Sequence, residues 1–153
     1  MSTAPIIHPT DFSDTAQIAE GQALALARAL GAELVFVHVA PEMMRYGETP
    51  FGPGPAADVQ ATHREWARRA LADRAAAARE TGVAARAIVA VGTAPEVIVL
   101  TAEAERAQMI VMGTHGRSGL SRFLVGSVAD IVLRTAPCPV VLVRARGAVS
   151  SAA

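Results

Sequence analysis

"MIVMGTHGRSGLSRFLVGSVADIVLRTAPCPVVLV" (residues 109–143) decides the fold. Met109 to Met112 is an apolar run too short for a helix, and a glycine-rich segment follows it directly. Val128-Ala129-Asp130-Ile131-Val132-Leu133 then reads as helix, and Pro137 closes it. Val140 to Val143 is a second apolar run. Strand, loop, helix and strand in that order form a crossover unit, whose two strands must be parallel.

The same alternation extends upstream. Ile6-Ile7-His8 predicts a first strand, and Ser13 or Asp14 caps the helix after it. Gly31 ends that helix where a left-handed cap is wanted. Ile18, Ala25, Leu26, Ala29 and Leu30 are its expected inward face. Leu34 to Val39 is apolar on both parities, as a strand covered on both faces must be. Pro41 to Ala57 reads as loop. A helix over about Val59–Thr81 carries Trp66, Ala67, Ala70, Leu71, Ala77 and Ala78 inward, and Gly82 closes it. Ala87 to Val91 is the third strand, and Thr93-Ala94-Pro95-Glu96 predicts a capping box for a helix reaching Glu105. The fold class is therefore α/β, an open five-stranded parallel sheet with helices on both faces. Residues 1–153 read as one domain, with a frayed tail over 147–153.

Composition narrows the function. The 153 residues carry 14 basic and 14 acidic side chains, so no charge excess marks a polyanion or membrane partner. Aromatics are 4%, too few for base-stacking platforms, so no nucleic acid is expected. All basic residues are arginine, which removes Schiff-base chemistry and the lysine-bearing Walker loop. The single Cys138 fits a reducing compartment, and no apolar run is long enough to span a membrane. The expected location is cytoplasmic.

In open α/β sheets ligands bind beyond the carboxyl ends of the strands, where strand order reverses. With the first and fourth strands adjacent there, Pro9-Thr10-Asp11-Phe12-Ser13 meets Gly113-Thr114-His115-Gly116. Glycines let a backbone approach phosphates closely, and Gly126-Ser127 opens a helix whose N-terminus attracts anions. Asp11 suits ribose hydroxyls, and His115 and Arg117 reach phosphates from the loop. A purely structural account stands beside this one: Gly113 as a tight strand exit, Ser127 with Asp130 as a capping pair, Asp11 as a helper of the first cap.

Gly113-x-x-Gly116, nine residues, then Gly126-Ser127 resembles the G-x-x-G-x9-G-[ST] signature of the ATP-binding branch of the universal stress protein family. "IIHPTDFS" (6–13) and "GSVADIVLRTAPCPVVLVR" (126–144) are similar to that family's first and last segments. The resemblance implies an adenine nucleotide alpha hydrolase-like sheet of order 3-2-1-4-5 that binds ATP, with or without Mg2+. It implies Asp11 at ribose or adenine, Val39 at the adenine edge through its backbone, and Met112 and Gly113 beside the ribose. Gly116, Gly126, Ser127 and Val128 would take the phosphates, with Pro9 and Thr10 in the same crevice. It also implies a homodimer through Val140, Val141, Leu142 and Val143. Phe12 departs from the glycine many relatives carry, and either crowds the pocket mouth or packs on the first helix.

Three functional classes follow: an ATP-responsive regulatory module in stress response, a slow ATPase or phosphoryl-transfer enzyme, and a dimeric scaffold without nucleotide. Phosphoryl transfer needs a base, metal-holding carboxylates and a cationic clamp. Asp11 and Arg117 alone answer that need, so any hydrolysis is expected to be slow. No His-Glu-x-x-His or clustered Cys/His spacing marks a metal site. His8 and His38 read as hydrogen-bonded core residues and His63 as solvated. Ser118 fails the G-x-S-x-G spacing of a nucleophile elbow. Met43, Met44, Tyr46 and Phe51 stand out as apolar residues on the 41–57 loop.

Overall fold

The computed structural model describes residues 3–42, 48–49, 52–53, 55–115 and 125–145. Met43, Met44, Tyr46, Phe51, Ser118 and the tail 147–153 lie outside the described residues. The elements run β1 (Ile6–Pro9), α1 (Asp14–Leu30), β2 (Leu34–Ala40), β3 (Glu48–Thr49), β4 (Gly52–Pro53), α2 (Pro55–Glu80), β5 (Ala85–Val91), α3 (Ala94–Ala104), β6 (Met109–Gly113), α4 (Ser127–Thr135) and β7 (Val140–Val143). β3 and β4 form a small antiparallel hairpin inside the segment expected as loop.

The main sheet has the order β5-β2-β1-β6-β7 with every pairing parallel, which is 3-2-1-4-5 counted over its five strands. Strand parity divides the core. Ile6, Leu34, Phe36 and Val111 face α1 and α2, packing with Ala23, Ala27, Leu71 and Ala75. Ile7, Val35, Val37, Ile110 and Met112 face α3 and α4, packing with Ile98, Ala102, Ala129 and Val132. Both parities are buried because both faces are covered.

Helix ends follow the sequence in part. Ser13 caps α1, its hydroxyl accepting from Ala16 N, and Gly31 takes the left-handed cap at φ 61°. Thr93 caps α3 without a side-chain hydrogen bond, so the expected capping box does not form; Pro95 in the first turn remains. The inward face of α1 differs from expectation: Ala16, Ala19, Ala23 and Ala27 are buried, whereas Ile18 and Leu30 are each 44% exposed. Alanines seat the helix close to the sheet, and a bulky residue on that line would push it away. α2 buries Ala67, Leu71, Ala75 and Ala78, leaving Trp66 48% exposed.

At the switch point β1 and β6 part company. Their ladder pairs Ile6 with Met109 and Ile7 with Ile110. One residue further on, the His8 Nδ1–H donates to Val111 O at 2.9 Å. A side chain thus bridges the strands at the place where the crevice opens.

Candidate functional site

The crevice lies at the carboxyl ends of β1, β2 and β6 and has a volume of about 260 Å³. Pro9, Thr10, Asp11, Val39, Met112, Gly113, His115, Gly126, Ser127 and Val128 all line it. Gly116 and Arg117 lie outside the described residues. Ala16 from α1, Val37 and His38 from β2, Ala94 and Ile98 from α3, Ala129 from α4, and Thr114 complete the wall among the described residues. None of these was expected at the site from the sequence: apolar side chains and a lone threonine carry no chemical signature, and His38 read as a core residue.

Asp11 follows β1 directly and ties the turn to α1, its Oδ1 accepting from Ser13 N at 3.0 Å. Thr10 is anchored by its own N–H to Val37 O at 2.8 Å, and its hydroxyl accepts from Phe12 N at 3.0 Å. Asp11 therefore supports the first cap and lines the crevice at once.

The other wall is closed by a short backbone bridge. Gly126 N donates to Thr114 O at 2.6 Å, which draws the start of α4 against the end of β6. A Cβ on Gly126 would stand 2.9 Å from that same oxygen. Gly113 is equally confined, since a Cβ there would meet Thr15 Cγ2 at 2.8 Å. Gly113 and Gly126 of the signature are thus required by the protein's own packing, whatever they contribute to a ligand.

α4 begins without a side-chain cap, with Gly126 as N-cap and Ser127 as the first helical residue. The expected Ser127–Asp130 capping pair is therefore not formed, and Ser127 lines the crevice instead. The N–H groups of the first helical turn have no intrahelical acceptor and attract negative charge. His115 adds a second unsatisfied group. Its Nδ1 is 3.0 Å from Thr114 Oγ1, and its buried Nε2 has no hydrogen-bond partner among the described residues. Buried polar atoms are seldom left unpaired, so an orphan beside a helix N-terminus marks where a polar ligand fits.

Phe12 stays out of the crevice lining and packs against the core cluster shared by α1 and α2. Its backbone is left-handed, at φ 63°, a conformation that favours glycine. The side chain points to α2: its ring is 4.8 Å from those of His38 and Trp66, and Arg74 Cζ lies 5.7 Å from its centre. The crevice lining does not include it.

The profile of the universal stress protein family matches residues 3–144. The chain belongs to that family. It is 34% identical over 143 residues to universal stress protein MJ0531 of Methanocaldococcus jannaschii, covering 91% of this chain and 81% of that protein. Among solved structures, MJ0577 of the same organism superposes with a TM-score of 0.82 at 29% identity, over 96% of this chain and 99% of that one. A universal stress protein from Archaeoglobus fulgidus, solved in complex with dAMP, gives a TM-score of 0.66 at 26% identity over 94% and 99% of the chains. Another, solved in complex with cAMP, gives 0.63 at 25% identity over 94% and 98%.

The remaining candidates have structural places in this stress-protein fold. His8 and His38 are buried and each hydrogen-bonded through Nδ1 as expected, while His8 Nε2, enclosed in the core, has no partner among the described residues. His63 is not simply solvated, because its Nε2 lies 3.1 Å from that of His38. Burial pushes the Cys138 thiol up, which disfavours the reactive thiolate. No described helix is long and apolar enough to cross a membrane.

Proposed function

We propose that the chain is an ATP-binding regulatory module of the stress response, acting in the cytoplasm as a homodimer, with nucleotide occupancy as its signal. The observation that carries this reading is the pairing of an uncapped α4 N-terminus with the orphaned His115 Nε2 on one wall of the crevice. Both groups suit a phosphorylated ligand. The dAMP and cAMP complexes of two structural relatives support adenine as the base.

In this reading Asp11 faces the ribose, and Val39 meets the adenine edge beside Pro9 and Thr10. Met112 and Gly113 flank the sugar. The N–H groups of Ser127 and Val128, the Ser127 hydroxyl, and His115 receive phosphates, together with Gly116 of the signature and Arg117 of the loop. Gly126 serves by position, since its own N–H is already given to Thr114 O. ATP is the proposed ligand, with Mg2+ as a companion of its phosphates. Asp11 is the one carboxylate among the described lining residues. Any hydrolysis is therefore slow, and turnover above ~1 per second would refute the regulatory reading.

The deciding experiment is to purify the protein without added nucleotide, denature it, and identify released small molecules by mass spectrometry. Near-stoichiometric ATP is expected. A protein that releases none, and then binds none from millimolar Mg-ATP, would leave the dimeric scaffold as the better reading.

A further inference from the structure

His38 and His63 come from different layers, one from β2 and one from α2, and present their Nε2 atoms to each other at 3.1 Å. His38 Nδ1 lies 2.9 Å from Thr10 O. A carbonyl can only accept, so Nδ1 carries the proton, and in the neutral tautomer Nε2 faces His63 as an acceptor. The shared proton then belongs to His63 Nε2. This is the outer-sphere arrangement that metal-binding histidines use, in which a backbone carbonyl fixes tautomer and ring orientation.

The spacing is that of a direct N–H···N hydrogen bond, and it lies within a few tenths of an ångström of a chelate. Two imidazoles on a tetrahedral Zn2+, with Zn–N about 2.05 Å, place their nitrogens about 3.3 Å and their ring centres about 5.2 Å apart. The observed separations are 3.1 Å and 5.3 Å. Access exists as well, because His63 lines an open groove with Asp58, Val59, Thr62 and Trp66. Among the described residues no third His, Cys, Asp or Glu joins the pair.

We propose that His38 and His63 form a two-histidine seat for a divalent transition metal of the imidazole-preferring class, such as Zn2+ or Ni2+, clipping α2 to the sheet beside the Thr10 turn. Imidazole donors select such ions over Mg2+ or Ca2+, which prefer oxygen. On binding, each Nε2 donates its lone pair to the metal. The proton on His63 Nε2 moves to Nδ1 through solvent, so each imidazole stays neutral. Water fills the open coordination positions. The seat adjoins the crevice, because His38 also lines it beside Thr10; it is distinct from the phosphate-facing groups of α4 and His115.

The protein carries its own reporter, since Trp66 is the single tryptophan and its ring lies 5.7 Å from that of His63. Ni2+ titrated into untagged, full-length, nucleotide-free protein should quench Trp66 emission saturably, with a stoichiometry of ~1 and reversal by chelator. Equilibrium dialysis with Zn2+ should count the same ion. His63→Ala and His63→Gln, on a half-buried helix position and checked for fold by circular dichroism, should weaken binding at least roughly tenfold. His115→Ala should leave it unchanged. Quenching that never saturates, or a saturable site retained in both His63 variants, would overturn the proposal.

Discussion

The backbone N–H of Gly126 reaches the carbonyl of Thr114 over 2.6 Å, and no side chain fits between them. This contact fixes where α4 begins, and with it the direction in which the first turn of α4 presents its N–H groups. Gly126→Ala would set a carbon against a backbone oxygen that cannot swing aside. It is expected to cost about 1–3 kcal/mol by urea unfolding, the range for forcing a methyl into a packed site. Unchanged stability would show that the Thr114 turn yields easily.

Because that variant disturbs fold and site together, Ser127→Asp separates them. A carboxylate at the first helical position favours the helix dipole by about 0.3–1 kcal/mol. The same charge repels phosphate in the crevice. Stability should hold or rise while ATP affinity, read by calorimetry, falls at least tenfold. Full affinity in the folded variant would move the phosphates away from α4.

Phe12→Gly tests a position where two effects oppose. Glycine relieves the left-handed strain, about 1 kcal/mol. It also removes a half-buried ring that packs on His38 and Trp66, worth about 2–3 kcal/mol. A net loss of about 1–2 kcal/mol is expected, with ATP affinity unaltered because Phe12 does not line the crevice. A stabilised variant would mean that strain outweighs packing.

His8 makes stability depend on pH. Burial pushes its pKa from 6.5 down to about 4, against the Val111 hydrogen bond, which raises it, and with a small further lowering from Arg74. The unfolded chain therefore takes up a proton below pH 6.5 that the folded chain refuses until about pH 4. The stabilisation is full above pH 6.5 and is lost as pH falls through this window. Between pH 7 and pH 5 the loss is about 2 kcal/mol. Urea midpoints of the wild type and His8→Gln at both values should show this extra slope in the wild type alone. Parallel slopes would mean that His8 is reached by solvent in the native state.

How much of this was legible depended on what each residue signals. Strand parity at Leu34–Val39 and the crossover at 109–143 carried the sheet, since apolar runs that short, joined through helices, admit little else. The phase of α1 was not legible, because alanines on several faces erase the contrast that separates Ile18 from Ala19. The crevice was located through Asp11, Gly113 and Gly126, yet the glycines proved necessary first for close backbone contact. Ala94 and Ile98 enter from a helix on the far side of the sheet and carry only size. The His38–His63 pair lies 25 residues apart on separate elements. No linear spacing rule reaches across that distance.

The edge of the sheet offers a last test, of the proposed homodimer. Among the described residues β7 pairs only with β6, and Val140, Val141, Leu142 and Val143 are all half-buried on a single chain. Ile110 N donates to Pro139 O and Thr114 N to Val143 O, so the odd-numbered residues of β7 face β6. By the alternation of a parallel ladder, the N–H groups of Val140 and Leu142 point outward. An apolar edge with outward donors is a pairing surface. Sedimentation equilibrium should give about twice the 15.8 kDa chain mass. Leu142→Pro removes one outward donor at an edge that tolerates proline, and should shift the mass toward one chain. Leu142→Ala removes the same side chain but keeps the donor, and should stay dimeric. If both variants remain dimeric, the two-fold contact lies elsewhere, and the exposed Ile131 and Leu133 of α4 become the surface to probe.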